Sequence, residues 1–162
     1  MDNQDSATPA HGQQVITACA AVHKEIDGKP AVLLAKRAKT KKFLPGKYEL
    51  PGGHIDFGEQ IEEGLARELM EELQLKVVVE DVFSAFTYVN EVKGSHSVEL
   101  IYFARSVEGS EPQTNLHDHS EVTWFTEDTV NDLRSINGAD DAEYPHVVRA
   151  LEILKRRYGE TS

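Results

Sequence analysis

Glu68, Glu71 and Glu72 fall within RELMEELQL, residues 67 to 75, at intervals of three and four. On a helix advancing about a hundred degrees per residue they share one narrow face. Glu71 lies about sixty degrees to one side of Glu68, and Glu72 about forty to the other. Like charges so placed repel by roughly 0.2–0.5 kcal/mol per pair. A hard divalent cation such as Mg²⁺ takes carboxylate, backbone carbonyl and phosphate oxygens, and would relieve that repulsion. The preceding stretch, LPGGHIDFGE, carries Gly52, Gly53 and Gly58, which permit tight turns and close backbone approach to a ligand. Arg67 stands four residues before Glu71, within reach of an ion pair. Types and spacing thus point to a carboxylate–cation site beside a glycine loop. Taken alone, the glutamates also read as a solvated acidic face.

Residues 53 to 75, GHIDFGEQIEEGLARELMEELQL, resemble the Nudix box, G-x5-E-x7-R-E-U-x-E-E-x-G-U with U a bulky apolar residue. Gly53, Glu59, Arg67, Glu68, Leu69, Glu71, Glu72 and Leu75 match in register, and Gln74 stands where the box has its second glycine. YELPGG before the box and SEVTWF after it are also similar to Nudix domains. The resemblance implies an α/β fold, an α/β/α sandwich with a mixed β-sheet between helices, forming a single domain over residues 13 to 160. It implies hydrolysis of the pyrophosphate link in a nucleoside diphosphate joined to another group, with Mg²⁺ or Mn²⁺ as cofactor. Glu68, Glu71, Glu72 and the Gly52 carbonyl would hold the metal, Glu68 being alternatively the base, and Arg67 would orient the carboxylates. Glu59, Asp118 and Glu121 are candidates for an additional acid, and Glu59 has an equal structural reading at the helix start. Glu99 reads as a solvent-face strand residue, and His117 and His119 as part of a solvated loop. Among aromatic residues Phe86 and Tyr88 are candidates to line a substrate pocket. The chain length and VTWF resemble nucleoside triphosphate pyrophosphohydrolases of the mutator type. ADP-ribose, nucleotide sugars and dinucleoside polyphosphates are the alternative substrates, and a non-catalytic nucleotide-binding module the alternative role. Homodimers are frequent in the family.

Positioning such a site requires a frame. VITACAAVHKEI and AVLLAKRA read as strands joined by a DGKP turn, and a loop-rich stretch follows with a short extended piece at residues 48 to 50. Residues 60 to 73 read as a helix whose Leu65, Ala66, Leu69 and Leu73 form one apolar arc. KVVVEDVFSAFTYVNEV and SVELIYFARSV read as strands, EGSEPQTNLHDHSE as a long polar loop and VTWFT as a short strand. EDTVNDLR reads as a short helix, INGADDAEY as a loop, and PHVVRALEILKRRYG as a closing amphipathic helix. The 162 residues, 40% hydrophobic, suffice for one core. A net charge of −11 disfavours a nucleic-acid-gripping surface, while a small nucleotide partner remains compatible once a cation reverses the local field. The single cysteine, Cys19, lies in an apolar run, which fits a reducing, cytoplasmic setting. No apolar stretch is long enough to span a bilayer, and residues 1 to 12 read as a polar, poorly ordered tail.

Overall fold

The computed structural model describes residues 12–115 and 117–161. The expected tail therefore lies outside the described residues apart from Gly12, whose N–H donates to the Gly94 carbonyl. The elements are β1 (Gln14–Ile26), β2 (Lys29–Arg37), β3 (Tyr48–Glu49), β4 (Gly52–His54), α1 (Ile61–Leu73), β5 (Val77–Asn90), β6 (Ser95–Ser106), β7 (His119–Phe125), α2 (Asp132–Asn137) and α3 (Tyr144–Thr161). Among these residues no helix is long and apolar enough to cross a membrane.

β1 organises the sheet. Its first part, from Gln14 to Val22, runs parallel to β6 from His96 to Ala104. Thr17 to Cys19 also pair antiparallel with β4, and His23 to Ile26 pair antiparallel with β2. The β1–β2 hairpin turns on Asp27 and Gly28, with φ of 52° and 80°, the two left-handed residues that a tight hairpin turn demands. β3 and β7 both pair with β2, and β5 completes the other side by pairing with β6. The sheet is mixed, as expected.

Period-two alternation sends each central strand's apolar residues to both faces, which is why these strands read as near-continuous apolar runs. Ala18, Ala20 and Val22 of β1, Leu33 and Ala35 of β2, and Tyr102 and Ala104 of β6 pack with Leu65, Leu69 and Leu73 of α1. The intervening Cys19, Ala21, Val32, Leu34, Ile101 and Phe103 pack on the opposite face with Leu133 of α2 and Val147, Ala150, Leu151 and Leu154 of α3. Two helical layers therefore sandwich the sheet.

Two boundaries differ from the sequence reading. The helix expected over residues 127 to 134 forms later, as α2. Thr126 and Thr129 hold the preceding residues in turns instead: the Thr126 N–H donates to Thr129 Oγ1 at 2.9 Å and the Asp128 N–H to Thr126 Oγ1 at 3.3 Å. The expected polar loop ending at Glu121 is shorter, because pairing with β2 extends β7 back to His119.

Candidate active site

α1 is entered from Gln60 in extended conformation and left through Gln74, at φ 50° and ψ 33°. The left-handed exit that the box glycine serves is thus formed here by glutamine. Its N–H still reaches the Met70 carbonyl at 3.0 Å and the Leu75 N–H the Leu69 carbonyl at 3.3 Å, closing the last turn. The leucine stripe anchors the helix, and Glu68 on the neighbouring arc is 6% exposed. Gly53 explains how a carboxylate is accommodated there: a Cβ on residue 53 would lie 2.5 Å from Glu68 Cδ and Oε2. Gly64 does the same for Glu59, whose Oε1 would meet an added Cβ at 2.6 Å.

Arg67 gathers the box acids. Its guanidinium donates to Glu59 at 2.8 and 3.0 Å, to Glu68 Oε1 at 3.1 Å, to Glu71 at 3.3 and 3.4 Å, and to the His54 carbonyl at 3.2 Å. Glu59 also accepts the Asp56 N–H at 2.9 Å. These bonds, the Arg67 contact foremost, hold the Glu59 carboxyl down at about 2. Glu59 is thereby committed to anchoring Arg67 and the turn before the helix. Burial drives Glu68 the other way, to about 7, against the pull of Arg67. Glu71 is exposed. Glu72 is pushed well above the usual carboxylate range by burial and by the nearby charges of Glu49, Glu68 and Asp118.

Two residues that the sequence reading left out of the site stand beside Glu72. Glu49 of β3 takes Arg37 Nη1 at 3.3 and 3.2 Å and His119 Nε2 at 2.8 Å. Burial raises the Glu49 carboxyl, but His119 and Arg37 outweigh it and leave it low. His119, expected in a solvated loop, is instead 2% exposed. Strand pairing opposite Arg37 carries it inward. Its Nε2 lies 3.9 Å from Glu72 Oε2. Among the downstream acids, Asp118 is held by Lys41 Nζ at 2.8 Å and Asn115 Nδ2 at 3.1 Å. Glu121 is exposed and 3.7 Å from Lys36. Asp118 thus borders the Glu72 cluster, whereas Glu121 stands opposite Lys36 and near Tyr48.

A cavity of about 510 Å³ adjoins this cluster, lined by Arg37, Glu49, Gly52 and Gly53, with Phe43, Phe86 and Tyr88 along it. Both aromatic candidates line it, and Phe43 and Tyr88 stack at 6.0 Å between ring centroids. Glu99, expected on a solvent face, also lines this cavity and is 6% exposed. The error has a simple cause. Strand alternation assigns Glu99 to a face, and that face is covered by α3 and the loops before it rather than by water. Burial pushes its carboxyl up to about 8, opposed by the Thr17 hydroxyl and reinforced by the Glu49 charge. Glu143, also missed, is raised well above its ordinary value by burial while its Oε2 accepts the Leu50 N–H at 3.0 Å.

The donor set suits a hard divalent cation. Glu49, Glu72 and His119 each place a ligand atom within 4.8 Å of the others. Glu72 Oε2 is buried without a hydrogen-bond partner. Such an orphaned oxygen is costly unless a cation or donor reaches it.

Comparison with known proteins agrees with this geometry. The family model for the NUDIX domain matches residues 15–147. Nucleoside triphosphatase NudI of Salmonella arizonae is 36% identical over 61 residues, covering 38% of this chain and 43% of that protein. The match thus spans less than half of that relative. The crystal structure of a MutT NUDIX hydrolase from Burkholderia pseudomallei superposes with a TM-score of 0.57 at 27% identity, covering 74% of this chain and 85% of that one. The C. elegans Ap4A hydrolase shares the fold, with a TM-score of 0.67 at 23% identity over 86% of this chain and 96% of that one.

Proposed function

The chain belongs to the Nudix family, and from that membership and the site above we propose that it is a pyrophosphohydrolase of nucleoside triphosphates. The net reaction is attack of water on a phosphorus of the triphosphate, releasing a nucleoside monophosphate and pyrophosphate. The observation that carries the reading is one of placement. The carboxylate cluster with its orphaned Glu72 oxygen adjoins a nucleoside-sized cavity: Gly53 packs against Glu68 and lines the cavity, and Glu49 lines it while standing beside Glu72. Cavities of a few hundred cubic ångströms with a few polar groups are the usual form of a small-ligand site.

Glu68, Glu71, Glu72 and the Gly52 carbonyl would hold Mg²⁺ or Mn²⁺. When bound, the cation supplies neutralisation of the phosphate charge and a lowered pKa for the attacking water. Arg67 acts as a positioning residue: its bonds to Glu59, Glu68 and Glu71 orient the carboxylates. Glu49 and His119 form the inner wall against Glu72, and Asp118, tied to Lys41, borders it. All six box positions needed for this chemistry, Gly53, Glu59, Arg67, Glu68, Glu71 and Glu72, are present. Their retention favours an enzyme over a binding-only module. The named activity of the nucleoside triphosphatase relative favours triphosphates within the class.

The test is a substrate panel. Nucleoside triphosphates, ADP-ribose, nucleotide sugars and dinucleoside polyphosphates are incubated with Mg²⁺ or Mn²⁺, and products are resolved by chromatography. Pyrophosphate release from a triphosphate, lost in Glu71→Gln and Glu72→Gln, is expected. Undiminished turnover in both variants would sink the mechanism, and no turnover of any panel member would favour the binding module.

A further inference from the structure

Glu99 of β6 lines the cavity together with Cys19 of β1 and Phe86 and Tyr88 of β5. Glu99 lies opposite Thr17 of β1 on one side and Phe86 of β5 on the other. Directly paired residues project from the same face, so the Glu99 carboxyl sits beside the Phe86 ring within the same cavity. Most buried polar groups along that cavity are already engaged. Asn137 Oδ1 accepts the Tyr48 N–H at 2.8 Å and its Nδ2 donates to the Tyr48 carbonyl at 2.9 Å. Glu49 holds Arg37 and His119, and Glu143 accepts the Leu50 N–H. Among the described residues, Glu99 is the cavity-lining side chain with a buried oxygen, Oε2, that has no hydrogen-bond partner.

We propose that Glu99 is a specificity-determining residue that, as a carboxylate, selects nucleobases bearing an exocyclic amino group, accepting its N–H at Oε2. The proposal rests on the reading that the substrate is a nucleotide. Two arguments carry it. First, a buried oxygen without a donor is a destabilising vacancy that a base amino group fills, with the planar ring lying along Phe86. Second, the surrounding charge is negative: Glu49, Glu91, Asp140 and Asp141 line the cavity against Arg37 and Lys47. That field favours the positive, donor edge of a base over the negative edge of a keto group. Cytosine, adenine and guanine satisfy the requirement; uracil, thymine and hypoxanthine do not.

The experiment compares kcat/KM for dCTP against dUTP and for ATP against ITP, pairs in which an amino group is replaced by oxo and the adjacent ring nitrogen gains a proton. It uses the full chain, as wild type, Glu99→Leu and Glu99→Gln, with calorimetric binding of the non-hydrolysable α,β-imido analogues in parallel. Wild type is expected to favour the amino member of at least one pair by about tenfold or more. Glu99→Leu is expected to bring that ratio near one, and Glu99→Gln, which keeps an acceptor carbonyl but adds a donor, to an intermediate value. If the leucine variant does not fold, the glutamine ratio decides. A wild-type ratio near one or below, or a ratio unchanged in both variants, overturns the proposal. Absence of turnover with every nucleotide would instead refute the hydrolase reading, and the binding ratios would still decide the role of Glu99.

Discussion

At the scale of single residues, Glu68 and Gly53 depend on each other. A methyl group at residue 53 would fall 2.5 Å from the Glu68 carboxylate. That carboxylate is the far end of a side chain able to swing away, so the fold tolerates the change while the ligand geometry does not. Gly53→Ala is therefore expected to lower metal-dependent turnover by roughly 10²-fold, the scale of losing one positioned catalytic group, with the thermal midpoint moved by only a few degrees. A large fall in midpoint with activity retained per folded molecule would reverse that assignment. Glu99 offers a separate readout in pH. Its folded-state value of about 8 exceeds the ordinary 4.5. Between these limits the folded protein binds the proton more tightly than the unfolded chain, so this group's stabilisation is present below about 4.5 and is lost as pH rises through 8. The groups facing it are Thr17 and Cys19 of β1, Glu49 of β3, Tyr88 of β5 and Glu143 before α3, of which Glu49 reinforces the upward shift. The midpoint of wild type relative to Glu99→Gln should accordingly fall from pH 5 to pH 8 and level off above. A difference that stays flat over that range would show that Glu99 titrates normally.

At the scale of elements, the helix carrying the box tests a single departure from the family pattern. Gln74 occupies a left-handed conformation, which costs a residue with a Cβ about 1–2 kcal/mol relative to glycine, partly offset by glycine's freer unfolded chain. Gln74→Gly should thus raise stability by a few tenths to about 1 kcal/mol, read as a small upward shift in a denaturation midpoint, and leave turnover unchanged because the carboxylates lie on earlier turns. A pronounced loss of activity would reveal a role for the Gln74 side chain. α1, α3 and the β1–β2 hairpin were legible in the sequence because each is written in local signals, whereas Gln74 in place of the box glycine left the exit of α1 open. An apolar arc at helical spacing and a DGKP turn are each read within one window. α2 was displaced from its expected place for a different reason. EDTVNDLR has helical composition, yet the Thr126 and Thr129 hydroxyls capture backbone N–H groups in turns, a competition that composition does not report. The start of β7 was missed because pairing with β2, about eighty residues earlier, decides it.

At the scale of the molecule, the site is split between what one helix displays and what the sheet brings to it. Glu68, Glu71 and Glu72 recur at three and four residues and announce themselves. His119 and Glu49 meet across seventy positions of sequence, and Glu99 faces a cavity whose other walls come from β1, β3, β5 and the loop before α3. Neither partnership leaves a local trace, so a polar residue in strand register was assigned to water by default. The assembled cluster has a thermodynamic consequence. Buried carboxylates that repel one another, with Glu72 Oε2 unpartnered, make the metal-free fold less stable than its packing alone would allow, and a cation that binds only the folded arrangement adds stability by mass action. At a concentration a hundred times its dissociation constant the gain is about 2.7 kcal/mol, or roughly 5–10 °C for a domain of this size. The gain should grow with pH, because protons on Glu68 and Glu72, both raised above the ordinary value, compete with the cation. Titrating Mg²⁺ and Mn²⁺ into wild type and Glu72→Gln at pH 6 and pH 8, with thermal unfolding as the readout and no substrate present, separates this from any effect on catalysis. The wild-type midpoint should rise with either cation, more at pH 8, and Glu72→Gln should respond weakly. An equal response in the variant would place the cation elsewhere than beside Glu72, whatever the enzyme's turnover.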